Sequence, residues 1–298
     1  MAEDVAIFPW HLYFTVISVA LGACVGSFLN VCIYRIPLEQ SVVSPPSHCF
    51  SCGKGVAPYD NIPIFSYLIL GGKCRHCKAG YSPRYMFVEI LVAALFFLIW
   101  CGWGDAPRPF GLAAFGSIFL VPVYWLFCGL LVLGAFVDLD HRIIPDRVTI
   151  GGTILGLLCS VLVPSLHGVD AVTWWDGLRA SLIGAAMGFG LLWGVGVFGK
   201  VLFRRDAMGF GDVKLMAGVG AFLGWDAVLF TLMFGSLFGA VIGITMILVR
   251  GRDKQEPIPF GPFLSSAALL WVFWGQGWWD AYVSMVMGDR LLLLTIGG

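Results

Sequence analysis

Two acidic stretches in this sequence have the residue types and spacing for chemistry. The first is Met208-Gly209-Phe210-Gly211-Asp212-Val213-Lys214, which sets an acid and a base two residues apart at the mouth of an apolar run, Leu215 to Trp225. A carboxylate at the edge of a bilayer loses hydration from its charged form, so an acid there is a functional candidate by default. Gly209 and Gly211 mark backbone that bends or lets another segment approach closely. A structural alternative is that Asp212 pairs with Lys214 or caps a helix. The second stretch is Val137-Asp138-Leu139-Asp140-His141-Arg142-Ile143-Ile144-Pro145-Asp146. Pro145 forbids a continuous helix, and Asp146 is placed to cap the next one. Asp138 and Asp140 are two residues apart, hence ~200° apart on a helix, so only one can face a given partner. Asp138 directly follows the apolar run Leu130 to Val137 and lies deeper, whereas Asp140 sits beside His141 and Arg142 at the water. Asp138 is the costlier acid and therefore the better candidate; a solvated loop accounts for Asp140 and Asp146. If Asp138 and Asp212 converge, one is held protonated and one ionised. That is the aspartic-protease arrangement, in which one carboxyl activates water and the other polarises the scissile carbonyl. No G-x-S-x-G, H-E-x-x-H or P-loop competes with this pair.

A third group is sulfur-based. Cys49-Phe50-Ser51-Cys52 is followed, after 21 residues, by Cys74-Arg75-His76-Cys77. Two C-x-x-C knuckles at this separation fit a tetrahedral four-cysteine zinc site. Gly53, Gly55 and Gly80 follow the knuckles and allow the turns that aim thiolates at one centre. The polar segment holding them, Leu38 to Arg84, is too short for a core of its own, and Zn–S bonds supply ~10 kcal/mol or more of folding energy. Disulfides are the alternative, against which a cytoplasmic location argues; a redox pair needs only one C-x-x-C. His48 and His76 belong beside the site or at the surface rather than among its ligands. Of the nine cysteines, Cys24, Cys101, Cys128 and Cys159 lie in apolar segments, where a free thiol behaves as a small hydrophobe, and Cys32 ends the first apolar run.

The elements that must position these groups are membrane helices. The chain has 298 residues, 59% hydrophobic and 12% charged, against about 25% charged in soluble domains. The fold class expected is an all-α polytopic membrane protein. Apolar runs at 8–36, 85–104, 110–137, 147–164, 177–203, 213–225, 226–249 and 259–275 give about eight spans, with 278–298 as a tail. Met1 to Trp10 lacks the basic region of a cleavable signal. The net charge of zero selects no partner, but the sign pattern sets an orientation. With the N-terminus outside, fifteen of the 18 Lys and Arg fall in inside loops, and only Arg108, Arg179 and Arg290 fall outside. The four-cysteine segment and both acid loops then face the cytoplasm. Three parts follow: a first span at 1–36, a cytoplasmic four-cysteine segment at 37–84, and an acid-bearing membrane part at 85–298.

At this point the chain resembles the bacterial type IV prepilin peptidases, of the G-x-G-D membrane aspartyl protease type. Gly26-Ser27-Phe28-Leu29-Asn30-Val31 with Tyr34-Arg35 is similar to the family's opening motif. Pro46-Ser47-His48-Cys49 through Cys52, Asp60-Asn61-Ile62-Pro63-Ile64-Phe65-Ser66-Tyr67, Cys74-Arg75-x-Cys77 and Arg84-Tyr85 resemble its zinc-and-methyltransferase segment. Asp138 through Ile144-Pro145 and Gly209-x-Gly211-Asp212-Val213-Lys214-Leu215 resemble its two aspartate motifs, and Pro259-Phe260-Gly261-Pro262-Phe263 its last-helix signature. Phe50, where the family commonly has Pro, and Met86-Phe87, where it has Pro-Leu, depart from the pattern and remove neither an acid nor a metal ligand. The resemblance implies cleavage of prepilin and type II secretion pseudopilin leaders on the cytoplasmic face of the bacterial inner membrane. The cut falls after Gly and usually before Phe, with Asp138 and Asp212 catalytic. It further implies methylation of the new N-terminus from S-adenosylmethionine, with residues 26–89 implicated, zinc on Cys49, Cys52, Cys74 and Cys77, and no nucleic-acid partner.

Two other classes account for part of this pattern. A transporter would use the acids to bind an ion or relay protons, but leaves the four-cysteine segment without a role. A non-catalytic assembly platform uses that segment and leaves the costly acids idle.

Overall fold

The computed structural model describes residues 10–102, 117–168, 171–204, 208–250 and 258–287. Among the described residues the chain is helical with no strand, and the sole β pairings are two isolated bridges, His48 with Gly55 and Lys73 with Gly80. It divides into two compact units, Met1–Pro109 and Phe110–Gly298.

The first unit is a helix pair carrying the Cys segment between its two members. Helix α1 (Trp10–Arg35) packs along α3 (Arg84–Cys101), and the short α2 (Phe65–Leu70) lies in the connecting segment. Gly22 and Gly26, four apart on one face of α1, permit the crossing. A methyl group on them would come within 2.8 Å of the Ala93 Cα and 2.7 Å of the Glu89 Cα. Small residues at this spacing let membrane helices approach by their backbones. Side chains pin both ends of the crossing: Asn30 Nδ2 donates to the Tyr85 carbonyl at 2.9 Å, and Trp100 Nε1 to Thr15 Oγ1 at 3.1 Å.

The second unit is a bundle of α4 (Leu120–His141), α5 (Asp146–Leu162), α6 (Trp174–Phe203), α7 (Phe210–Leu223), α8 (Trp225–Arg250), α9 (Gly261–Leu270) and α10 (Gln276–Met287). Its centre is α7, which contacts α5, α6, α8 and α9. From Asp212 onward every residue of α7 except Lys214 is buried. A helix apolar on all sides belongs inside a protein, and α7, with only 14 residues, is surrounded by other helices rather than by lipid. Gly184 and Gly188 of α6 touch the α7 backbone so closely that a methyl on either would fall 2.1 Å from the carbonyl oxygens of Gly220 and Met216.

Among the described residues, five helices are long and apolar enough to cross a membrane: α1, α3, α4, residues Trp174–Leu202 of α6 and Trp225–Val249 of α8. The other three apolar runs of the sequence correspond to α5, α7 and α9. Leu120 opens the helix expected over 110–137, and residues 103–116 lie outside the described ones. The tail expected from Trp278 is corrected by the structure. Helix α9 runs through a π-turn at Trp271–Gly275 straight into α10, so the chain stays helical to Met287. Aromatic packing holds that continuation, with Trp278 5.9 Å from Phe234 and Trp279 6.3 Å from Trp271, ring centre to ring centre. Asp289 and Arg290 lie outside the described residues.

Candidate active site and metal centre

Asp138 occupies the last turn of α4. The helix stops just beyond it because Arg142 turns left-handed (φ 56°) and Pro145, extended at φ −61° and ψ 142°, opens α5. Asp138 is 6% exposed, while Asp140 faces solvent. Asp212 lies in the first turn of α7, beginning after Gly209, and is 8% exposed. The structure thus buries Asp138 and Asp212 and leaves Asp140 outside.

One side chain connects the two acid loops. Ile144, from the turn after Asp138, is buried against Gly211 of α7 and Gly261 of α9. A methyl on Gly211 would stand 3.3 Å from the Ile144 Cβ, and one on Gly261 would stand 3.0 Å from its Cδ1 and 2.7 Å from Asp138 Oδ2. Gly261 also donates its backbone N–H to Asp138 Oδ2 at 3.0 Å, across 123 positions of sequence. Gly211 directly precedes Asp212, so Ile144, packed against both Gly211 and Gly261, joins the two acid-bearing loops. Two buried carboxyls sharing a site can work as an acid–base pair, one member able to take a proton while the other gives one.

The neighbouring charges are arranged differently from the expectations. Lys214 does not serve Asp212. Two residues apart on α7 the side chains point to opposite sides, and Lys214 Nζ bonds Asp146 Oδ1 at 2.6 Å while lying 5.0 Å from the Phe210 ring. Asp146 in turn does not cap α5: Pro145 holds the cap position, and the Asp146 carboxylate binds the lysine instead. The role of Gly261 has no counterpart in the sequence motif, because a backbone N–H carries no sequence label. Its signal in the sequence was its place in Pro259-Phe260-Gly261-Pro262-Phe263, which does not say what its N–H will meet.

In the first unit the sulfurs of Cys49, Cys52, Cys74 and Cys77 all lie within 4.8 Å of one another, and all four cysteines are free thiols. The two knuckles repeat one backbone pattern. Gly53 N–H donates to the Cys49 carbonyl (2.8 Å) and Cys49 N–H to the Lys54 carbonyl (2.9 Å); Lys78 N–H donates to the Cys74 carbonyl (3.0 Å) and Cys74 N–H to the Ala79 carbonyl (2.8 Å). Gly53 and Lys78, at equivalent places, are both left-handed, at φ 69° and 60°. The second knuckle therefore forces a lysine into the conformation that glycine gives the first. Inside the cluster, N–H groups of Cys52 and Ser51 pull the Cys49 thiol down to about 6, and those of Cys77 and His76 lower Cys74 in the same way. The donor set fits a tetrahedral metal. Cys49 Sγ and Cys77 Sγ stand 3.7 Å apart, close to the roughly 3.8 Å edge of a tetrahedron with Zn–S bonds of about 2.3 Å. His48 lies outside the sulfur cluster, its Nδ1 3.2 Å from the Pro46 carbonyl. His76 lies outside it too.

Comparison with known proteins covers both units. The Bacterial Peptidase A24 N-terminal domain matches residues 20–103 and the Type IV leader peptidase family matches residues 125–244. The chain is 43% identical over 291 residues to the prepilin leader peptidase/N-methyltransferase of Myxococcus xanthus (95% of this chain, 77% of the relative). It is 33% identical to the protein of that name from Aeromonas salmonicida (94% and 96%) and 34% identical to that from Pseudomonas aeruginosa (89% and 92%). No solved structure matches the chain.

Proposed function

The chain belongs to the type IV leader peptidase family, and from that premise we propose that Asp138 and Asp212 are the catalytic pair with which it removes the leader of type IV prepilins. It is a membrane-embedded prepilin peptidase that also N-methylates its product. The observation that carries the assignment of the acids is the meeting of two buried carboxyls around Ile144 and Gly261. Asp138, whose Oδ2 accepts the Gly261 N–H, serves as the ionised member and takes a proton from the attacking water. Asp212, in the first turn of the buried helix α7, holds the shared proton and donates it to the scissile carbonyl. When the tetrahedral intermediate collapses, the proton held by Asp138 passes to the leaving amine, and a hydroxyl of the intermediate returns its proton to Asp212, which restores the pair. Fixed backbone on three elements keeps this geometry without reorganisation.

In the first unit, Cys49, Cys52, Cys74 and Cys77 would hold zinc, which closes the two knuckles into one structural centre. S-adenosylmethionine is the methyl donor, consumed as a substrate at the unit spanning residues 26–89. Pseudopilins of type II secretion share the substrate class. The Lys and Arg excess supports an orientation with the four-cysteine segment and both acid loops on the cytoplasmic face of the bacterial inner membrane, the N-terminus outside and eight spans. Functionally, 1–36 anchors, 37–84 serves methyl transfer and 85–298 carries cleavage. Incubating the purified protein with a prepilin and labelled S-adenosylmethionine, then weighing the product N-terminus, tests both activities together. An intact leader after incubation with wild type, or a cleaved one with Asp212→Asn, refutes the assignment of the pair.

A further inference from the structure

The first unit contains a buried acid that neither the cleavage site nor the metal cluster uses. Glu89 lies in the second turn of α3 and is 8% exposed. Its backbone sits in the α1–α3 crossing, where Gly26 packs directly on its Cα, so the side chain springs from a rigid base. The carboxylate reaches back into the Cys segment: Oε2 accepts the backbone N–H of Ile64 at 2.7 Å.

Ile64, a β-branched residue of that segment, is held in a strained conformation. It has φ 66° and ψ −56°, and the Phe65 N–H closes onto the Pro63 carbonyl at 2.6 Å. Together these define a γ-turn of the rare form, at a β-branched residue for which positive φ is a genuine outlier. Both flanks of the turn are tied to the second knuckle. On one side Asp60 receives Arg75 through Nε (2.7 Å to Oδ2) and Nη2 (2.5 Å to Oδ1), and Arg75 lies over the Tyr59 ring. On the other, Ser66 Oγ donates to the Tyr59 carbonyl at 3.3 Å, and the Tyr67 ring covers Gly72. A glycine at position 64 would take this shape freely. Strain of this kind persists where its surroundings impose it, and such places concentrate at functional sites.

We propose that Glu89 is a positioning residue for methyl transfer: anchored on α3 at the α1 crossing, it holds the Pro63–Ile64–Phe65 turn in its left-handed form and so sets the shape of the segment in which the amine is methylated. This rests on the methyl-transfer reading of the first unit. A hydrogen bond to an acceptor fixed on a helix is what a turn opposed by its own side chain requires.

The test offers a pre-cleaved pilin and labelled S-adenosylmethionine to the full-length protein, with leader cleavage of an intact prepilin measured in parallel as the reference for folded enzyme. Glu89→Ala should lower the ratio of methylation to cleavage by roughly tenfold or more, the loss typical when an outer partner of a functional group is removed. Placed in an Ile64→Gly background, the same Glu89→Ala change should cost less than about threefold, because the turn no longer needs holding and the two effects are not additive. Glu89→Gln, which keeps an acceptor oxygen at the same place, should fall between wild type and Glu89→Ala, and it carries the comparison if Glu89→Ala does not insert. An unchanged ratio in Glu89→Ala overturns the proposal. So does an undiminished loss in the Ile64→Gly background, which would put the carboxylate on the substrate itself. A Glu89→Gln protein as inactive as Glu89→Ala overturns it too, since charge rather than the bond to Ile64 would then matter. A wild-type protein that cuts prepilin but leaves the pre-cleaved pilin unmodified refutes the methyl-transfer reading, and this assignment with it.

Discussion

At the scale of single residues, the acid pair is separated from its neighbours by burial. Asp138→Asn and Asp212→Asn preserve shape and remove the exchangeable charge, so each should lower leader cleavage by roughly 10²–10⁴-fold, the contribution of a positioned acid or base. Asp140→Asn, at a solvent-facing position, should stay within about twofold, as surface changes usually do. Cleavage by Asp138→Asn at the wild-type rate, with Asp140→Asn inactive, would exchange the two assignments. Gly261 belongs to the same site by geometry. A methyl there meets Asp138 Oδ2 at 2.7 Å, and displacement of a catalytic group by about 1 Å can cost about 10²-fold. Gly261→Ala should therefore impair cleavage by one to two powers of ten, about 10–100-fold, with the protein still inserted and still carrying zinc. The deeper burial of Asp138 than of Asp140 was legible because depth follows from position in an apolar run. The Gly261 contact was not, since nothing local to residue 261 says which carboxylate its N–H will meet.

At the scale of elements, the sequence displayed its helices through apolar runs and through the helix-stopping Pro145 before α5. What it could not display was which helix lies innermost. The 213–225 run is the shortest of the eight apolar runs, yet α7 is the one around which α5, α6, α8 and α9 gather. Length selects helices that face lipid, whereas α7 is surrounded by protein and has no such requirement. The ion pair between Asp146 of α5 and Lys214 of α7 was equally invisible, because it spans 68 positions. Surface pairs contribute about 0.2–1 kcal/mol, so Asp146→Asn and Lys214→Met should each lower cleavage by only a few fold. The double mutant should then be no worse than the weaker single, as for partners in contact. Additive losses would show that the pair does not link the two acid loops. In the first unit, the four-cysteine cluster was fully legible, since two C-x-x-C knuckles state their geometry in their spacing. Purified protein should hold about one zinc per chain. Cys49→Ser, Cys52→Ser, Cys74→Ser and Cys77→Ser should each lower that content, and Cys24→Ser and Cys159→Ser should not. Native disulfides joining Cys49 to Cys52 and Cys74 to Cys77 in thiol-blocked protein would contradict the metal centre.

At the scale of the whole molecule, the proposed division of cleavage and methyl transfer between the two units makes the reactions separable but ordered. The acids lie in Phe110–Gly298 and the sulfur cluster in Met1–Pro109, so damage to one need not reach the other. The order comes from the substrate. Methylation needs a free α-amine, and that amine exists only once the leader bond is cut. The methyl group is accepted by the neutral amine, whose unperturbed pKa is about 7.7–8.0, so a modest local shift supplies the nucleophile near neutral pH. Cys74→Ser, which removes one sulfur from the four-cysteine cluster, should suppress methylation more than cleavage. Asp212→Asn should stop both reactions on an intact prepilin, because the second lacks its substrate. The same Asp212→Asn protein, given a pilin already cut, should methylate it at close to the wild-type rate. A folded, zinc-loaded Asp212→Asn protein that leaves this pre-cleaved pilin unmodified would show that the acid pair takes part in methyl transfer, and the two units would then have to be treated as one catalytic centre.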